Sequence, residues 1–305
     1  MSNTLALADA GIETALTDRL GCELPEFAAF VLLETAEGRA ALTEYYRPFA
    51  QLAAAQHMPL VLDTPTWRAN PDWASLLGFD AASLDRLNAA AAALTRDVAT
   101  EFAPESDVTI AGVVGPRYDD DGATTMTADA AADYHATQVR ALAEAGVDRI
   151  TAVTMTDQWE AEGVVRAARS AGIAVVVSFS VGAEGRLPSG LTLAEAIDAV
   201  ETATDGYPAG YMINCAHPAE AALALSLRGE SEDAHERQSQ LLAERVLGFR
   251  LNAARHGDEG AGDDPLAFAE AMVDLRALAP NAQIFGGCCG TDAPHISAVA
   301  ELLTR

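Results

Sequence analysis

Short apolar runs rich in Val, Ile and Ala alternate along this chain with longer stretches in which Ala, Leu, Glu and Arg recur at helical spacing. The strand candidates are residues 4–8, 59–63, 108–114, 149–153, 174–179, 210–214, 246–251 and 283–286. The clearest helical stretches between them are 38–56, 81–101, 128–145 and 266–279. Strands separated by helices predict a parallel sheet, because a parallel neighbour is reached only through a crossover long enough to hold a helix. Eight such pairs predict an α/β protein, a single (β/α)8 TIM barrel over residues 1–305. No Gly/Ser linker divides the chain, and residues 228–240 and 257–264 read as polar loop insertions. An open doubly wound sheet is the alternative, but it lacks a G-x-G-x-x-G turn after the first strand.

In a barrel of this kind function sits at the carboxyl ends of the strands. The residues falling there are Asp9, Thr64, Gly115 and Pro116, Thr154, Ser178 to Ser180, Cys215, Asn252, and the pair Cys288 and Cys289. Three of the four cysteines are thereby expected on one rim, with Cys22 lying apart in GCELPEF.

Composition narrows the chemistry. Half of the residues are hydrophobic and 6% aromatic, which suits an aliphatic core. Formal net charge is −26 with a pI near 4.3, so nucleic acid and anionic membrane surfaces are not expected partners. No apolar run approaches the roughly 18 residues that span a bilayer, and the first residues lack the basic start of a secretory signal. A cytoplasmic location is expected, and few cysteines in so long a chain fit thiols kept reduced. All 19 basic residues are Arg; without Lys the chain has no side-chain amine for Schiff-base chemistry.

Cys215 ends the sixth strand in YMINCAHP, and Cys288 and Cys289 end the eighth in IFGGCCGT. Neighbouring strand residues point to opposite faces, so both sulfurs of the pair reach one ion only if the strand stops there and the backbone turns. Gly286, Gly287 and Gly290 supply that freedom. Three thiolates leave the fourth tetrahedral position open, as in a catalytic rather than a structural zinc site. Soft sulfur ligands favour Zn over Mg or Ca, with Fe or Cu(I) as other occupants. A vicinal disulfide or redox switch at Cys288 and Cys289 is the competing role, and Cys215 alone would read as a small buried hydrophobe.

The motifs LADAGIETAL, LDTPTWRAN, AGVVGP, SFSVGAEGRLPSG, INCAHP and GGCCGT together resemble the homocysteine S-methyltransferase family over nearly the whole chain. The resemblance implies a (β/α)8 barrel with Zn2+ on Cys215, Cys288 and Cys289 as the catalytic centre. It implies that the metal binds a small acceptor thiol as its thiolate, which then attacks a methyl group on a small sulfonium or ammonium donor. The chain has no room for the folate and cobalamin modules of the large methionine synthases, so a diffusible donor is expected.

Asp9 aligns with the acidic residue of the family's first-strand motif, and helix capping is its other reading. Thr64 and Thr66 lie in the segment resembling the substrate-binding loop, with turn hydrogen bonding as the other reading. Thr154 and Asn214 complete the expected substrate contacts, Asn214 with strand-end hydrogen bonding as an equal alternative. His217 reads as a metal-supporting or plain loop residue, and Trp67 and Trp159 as rings for a methylated cation or as packing. The main departure follows the fourth strand, where homocysteine-using relatives carry Glu-Thr and this chain has Val153 and Thr154. Asp157 and Glu160 are the nearby carboxylates, the latter expected in the first turn of the next helix.

Two alternatives accompany the transferase reading: the same barrel acting on a thiol other than homocysteine, and a zinc-binding redox sensor without transferase activity. Zinc-assisted hydrolysis is a third class, disfavoured because three thiolates make a poor Lewis acid for water and no H-E-x-x-H motif appears. The pattern leaves donor and oligomeric state open.

Overall fold

The computed structural model describes residues 4–118, 124–228, 232–258, 260 and 262–304. Eight strands form a closed parallel barrel in chain order: β1 (Ala6–Ala8), β2 (Leu60–Asp63), β3 (Val108–Val114), β4 (Arg149–Met155), β5 (Val175–Ser180), β6 (Gly210–Asn214), β7 (Val246–Leu251) and β8 (Ile284–Gly287). β8 returns to β1 through Ile284 beside Ala6 and Phe285 beside Leu7. Strands β3, β6 and β7 have the bounds predicted from sequence, and the others shift by one or two residues.

Each strand faces two environments, and its residues alternate accordingly. Leu7, Leu60, Leu62, Ile110, Ile150, Val175, Val177, Tyr211, Phe249 and Phe285 point outward into a large core shared with the helices. Ala8, Val61, Ala111, Val176, Met212 and Ile284 form a separate cluster inside the barrel. Two alanines alternate there with the larger Val61, Val176, Met212 and Ile284, which fill the barrel interior as a packed core. Toward the carboxyl ends the interior positions become polar, with Asp63, Ser178, Asn214 and Arg250 all buried. The apolar plug therefore closes one end of the barrel, and the polar residues line the other.

Helix starts are set by local chemistry. Thr35, Asn70, Asp80, Thr127, Asp157, Thr192 and Asp264 each accept a backbone N–H of the following first turn. One expectation fails: the polar stretch within 228–240 contains a helix, Glu232–Arg245, and residues 229–231 lie outside the described part. Its Glu, Gln, Arg and Ala are good helix formers, but the near-absence of apolar positions before Leu241 and Leu242 hides the helical period. Within 257–264 the described residues form no helix or strand, as predicted, and residues 259 and 261 lie outside the described part. No helix among the described residues is long and apolar enough to cross a membrane.

Candidate functional site

Cys215 follows the last residue of β6 and adopts a left-handed backbone, φ 51°, which turns its sulfur inward from the strand end. Its N–H still donates to the carbonyl of Arg250 on β7. β8 stops at Gly287, so Cys288 and Cys289 occupy the turn that leaves it. Cys288 N–H donates to the Leu251 carbonyl, Cys289 N–H to the side-chain oxygen of Asn252, and Thr291 closes the turn by donating its hydroxyl to the Cys288 carbonyl. Gly290 has φ +74°, the left-handed conformation that lets the chain reverse. Gly286 and Gly287 lack that conformation and serve close approach instead: a Cβ on Gly287 would lie 1.9 Å from Thr291 Oγ1. The sharp turn needed to aim both neighbouring sulfurs at one point is therefore present.

The three sulfurs lie within 4.8 Å of one another, Cys215 and Cys288 at 2.9 Å and Cys288 and Cys289 at 4.0 Å. All four cysteines, Cys22 included, are free thiols. Hydrogen bonds from Cys215 and Cys288 draw Cys289 down to about 4. Sharing those bonds, together with burial, holds Cys215 well above the usual thiol range. At Cys288 the bond with Cys215 lowers the pKa, but the bond with Cys289 and burial win and push it up to about 12. Without a cation the three sulfurs thus compete for the same hydrogen bonds, and not all of them can be thiolates at once. A soft divalent cation would stabilise three, and a donor set of three thiolates with no carboxylate fits zinc with one position left for a ligand.

The three cysteines line a pocket enclosing about 100 Å³ at the barrel mouth. Of the residues predicted from sequence, Asp9, Thr64, Thr154 and Asn214 line it with the cysteines, as do Val153 and Trp67. Thr66 is buried behind the wall. Its hydroxyl donates to the Val113 carbonyl, so the Thr64 hydroxyl must donate to Thr66 while accepting from Val113 N–H. Asn214 accepts from Thr154 N–H and from the Ser178 hydroxyl, and donates to the Thr154 hydroxyl at 2.9 Å. Thr154 has φ 59°, a costly conformation for a β-branched residue, and Asn214 is what holds it. The Thr154 hydroxyl comes to 4.0 Å from Cys215 Sγ.

Asp9 caps no helix. It receives Arg250 Nη2 at 2.6 Å, and Arg250 Nη1 stands 3.3 Å from Asp63. All three groups are buried. Burial pushes the Asp9 carboxyl up to about 7; Arg250 opposes this and Asp63 adds to it. Burial alone would lower Arg250, but Asp63 and Asp9 more than offset it and keep the guanidinium charged. Sequence reading missed Arg250, because an Arg inside a β-strand gives no sign that it points into a barrel. It also missed Glu13, which lines the pocket from the first helical turn after β1 and is pushed up to about 8, mainly by burial.

The remaining candidates are engaged elsewhere. Asp157 caps the helix Gln158–Ala171 through Oδ1. Glu160 is in that helix's first turn, as predicted, and accepts from Arg117 N–H and pairs with buried His135 at 2.8 Å. His217 caps the helix Pro218–Ser226 through Nδ1, so Nε2 carries the proton and donates to Asp263 at 2.9 Å. Trp159 is 45% exposed and lies outside the pocket lining.

The profile of the homocysteine S-methyltransferase family matches residues 6–303. The fold is similar to the homocysteine methyltransferase MmuM of Escherichia coli in its metallated form, at 23% identity and a TM-score of 0.75 over 99% of this chain and 96% of that one. The oxidized form of the same enzyme gives 22% identity and a TM-score of 0.77 over the same shares. Its apo form gives 21% and 0.67 over 98% and 96%. With the family profile covering nearly its whole length, this chain belongs to the homocysteine S-methyltransferase family.

Proposed function

We propose that this protein is a zinc-dependent S-methyltransferase that moves a methyl group from a small sulfonium or ammonium donor to homocysteine or a related thiol. The observation that carries this reading is the convergence of Cys215, Cys288 and Cys289 within 4.8 Å on one wall of a pocket, in a chain of this family. Cys215, Cys288 and Cys289 would hold the metal, which supplies the acceptor as a thiolate where a free thiol, with pKa about 8.5, is mostly protonated at neutral pH.

The pocket's own residues do the rest. Asn214 locks the turn at Thr154, which in turn packs against the Cys215 sulfur. Asn252 and Thr291 hold the second ligand turn, fixing two sulfurs that one-residue spacing would otherwise direct apart. Phe27, Trp67, Val113 and Val153 give an apolar, partly aromatic wall that suits a methylated cation and excludes water. Transfer forms a bond between the acceptor sulfur and the methyl carbon. It breaks the carbon–sulfur or carbon–nitrogen bond of the donor, whose electron pair leaves on a neutral sulfide or amine. Positioning the two partners in line is therefore the main task of the pocket.

A mass-spectrometric screen that crosses several thiols with sulfonium and ammonium donors tests the proposal. A methylated thiol formed only with metal-loaded protein is the expected result. X-ray absorption at the zinc edge should show three sulfur neighbours at about 2.3 Å, rising to four when the accepted thiol is added. Reversible disulfide formation within the trio, with no methyl transfer to any thiol, would favour the redox-sensor alternative.

A further inference from the structure

The acceptor's recognition can be read from what each carboxylate near the pocket is already doing. Asp9 and Asp63 share the charge of Arg250, so each already faces a cation, although Asp63 Oδ1 accepts no hydrogen bond. Asp157 spends one oxygen on its helix cap and lies outside the pocket lining, and Glu160 holds His135 and the Arg117 N–H. Val153 presents only methyl groups.

Glu13 differs from all of these. It lines the same pocket as the three cysteines, and among the described residues its carboxyl is met by its own backbone N–H and by no side chain in hydrogen-bond or ion-pair contact. Its place is fixed relative to the sulfurs: the turn that carries it packs on the ligand turn, so closely that a Cβ on Gly11 would lie 2.6 Å from the Cys288 carbonyl oxygen. Arg68 is the nearby cation, and its charge acts on the Glu13 carboxyl against the burial that pushes its pKa up.

We propose that Glu13 is the specificity residue of this pocket, receiving the ammonium group of an amino-acid thiol whose sulfur lies at the three cysteines. The inference rests on the methyl-transfer reading above and identifies which end of which substrate the carboxylate meets. A primary ammonium offers three N–H donors, and a partly buried carboxylate gains most from charge-assisted hydrogen bonds. A sulfonium or quaternary ammonium donor has no N–H to give and is better met by the faces of Trp67 and Phe27. A short amino-acid side chain also keeps amine and sulfur a few bonds apart, which matches a carboxylate held against the ligand turn.

The test compares homocysteine with its analogue lacking the amino group, 4-sulfanylbutanoate, on full-length zinc-loaded protein. Calorimetry gives Kd for each, and steady-state kinetics give kcat/KM and the donor KM. Glu13→Gln should weaken homocysteine binding roughly 10- to 100-fold and change the analogue less than about threefold, with zinc content and donor KM unaltered. Glu13→Asp, which keeps the charge on a shorter stem, should lose less than Glu13→Gln. Equal weakening of both thiols, no weakening of either, or a raised donor KM would overturn the assignment. So would native protein that binds the two thiols equally. If the binding preference for homocysteine is found but no donor yields a methylated product, the transferase reading fails and the Glu13 assignment stands.

Discussion

The two walls of the pocket solve opposite problems. The wall at β6 and β8 gathers three like groups, whose mutual repulsion as thiolates only a cation can relieve. The wall at β1, β2 and β7 gathers Asp9, Asp63 and Arg250, a set that carries its own cation, although Asp63 Oδ1 and Arg250 Nη1 have no hydrogen-bond partner. One wall is therefore built to accept something and the other to hold its shape. The consequence is that a conspicuous buried carboxylate such as Asp9 is not automatically a substrate contact, whereas an inconspicuous one such as Glu13 is left available.

The largest effect is expected from the thiol wall. Native protein should contain about one zinc per chain, and Cys215→Ser, Cys288→Ser or Cys289→Ser should each remove most of it and bring transfer below detection. Full metal retention in all three variants would dissolve the contrast. Next in size is Arg250→Met, which leaves two buried carboxylates without their cation and should cost about 3–5 kcal/mol in urea denaturation. Retained metal in that variant would show that the walls are separable, and unchanged stability would show that Arg250 is not what holds Asp9 and Asp63.

A smaller and sharper effect is expected at Val153, on the wall between the two. In a Glu13→Gln background, Val153→Glu should restore preference for homocysteine over its des-amino analogue about tenfold, the scale of one hydrogen bond to a charged group. Folding and metal content must be checked first, because a carboxylate buried there without an ammonium is desolvated. No recovery in a well-folded, metal-loaded double variant would mean that the amine does not lie between these two positions. The smallest effect is expected at Cys22, which packs at the edge of the core and not in the pocket. Cys22→Ser should leave metal and activity unchanged and alter stability by no more than about 1 kcal/mol.

How much of the site could be read from the chain depends on the residue type. A cysteine at a strand end has few roles, so Cys215, Cys288 and Cys289 were legible, and the glycines beside them signalled the turn they need. Thr64 and Thr66 were less legible, because one residue of spacing decides which hydroxyl faces the pocket, and both are taken up by Val113. Arg250, Glu13 and Glu160 were not legible at all in their present roles, since a charged residue's duty is set by the partner that reaches it from another strand or helix.

The sequence by itself determined the alternation of strands and helices, the closing of the barrel and the meeting of three thiols on its rim. Those follow from hydrophobic period, turn residues and the fixed direction of parallel strands, all of which act locally or repeat along the chain. Only the tertiary structure decided that Asp9 and Asp63 are paired, that Asp157 and Glu160 are committed elsewhere, and that Glu13 is left facing the sulfurs. Asp9 and Arg250 are 241 positions apart in sequence and 2.6 Å apart in space. Electrostatic partnership depends on that spatial distance alone, and no local pattern encodes it.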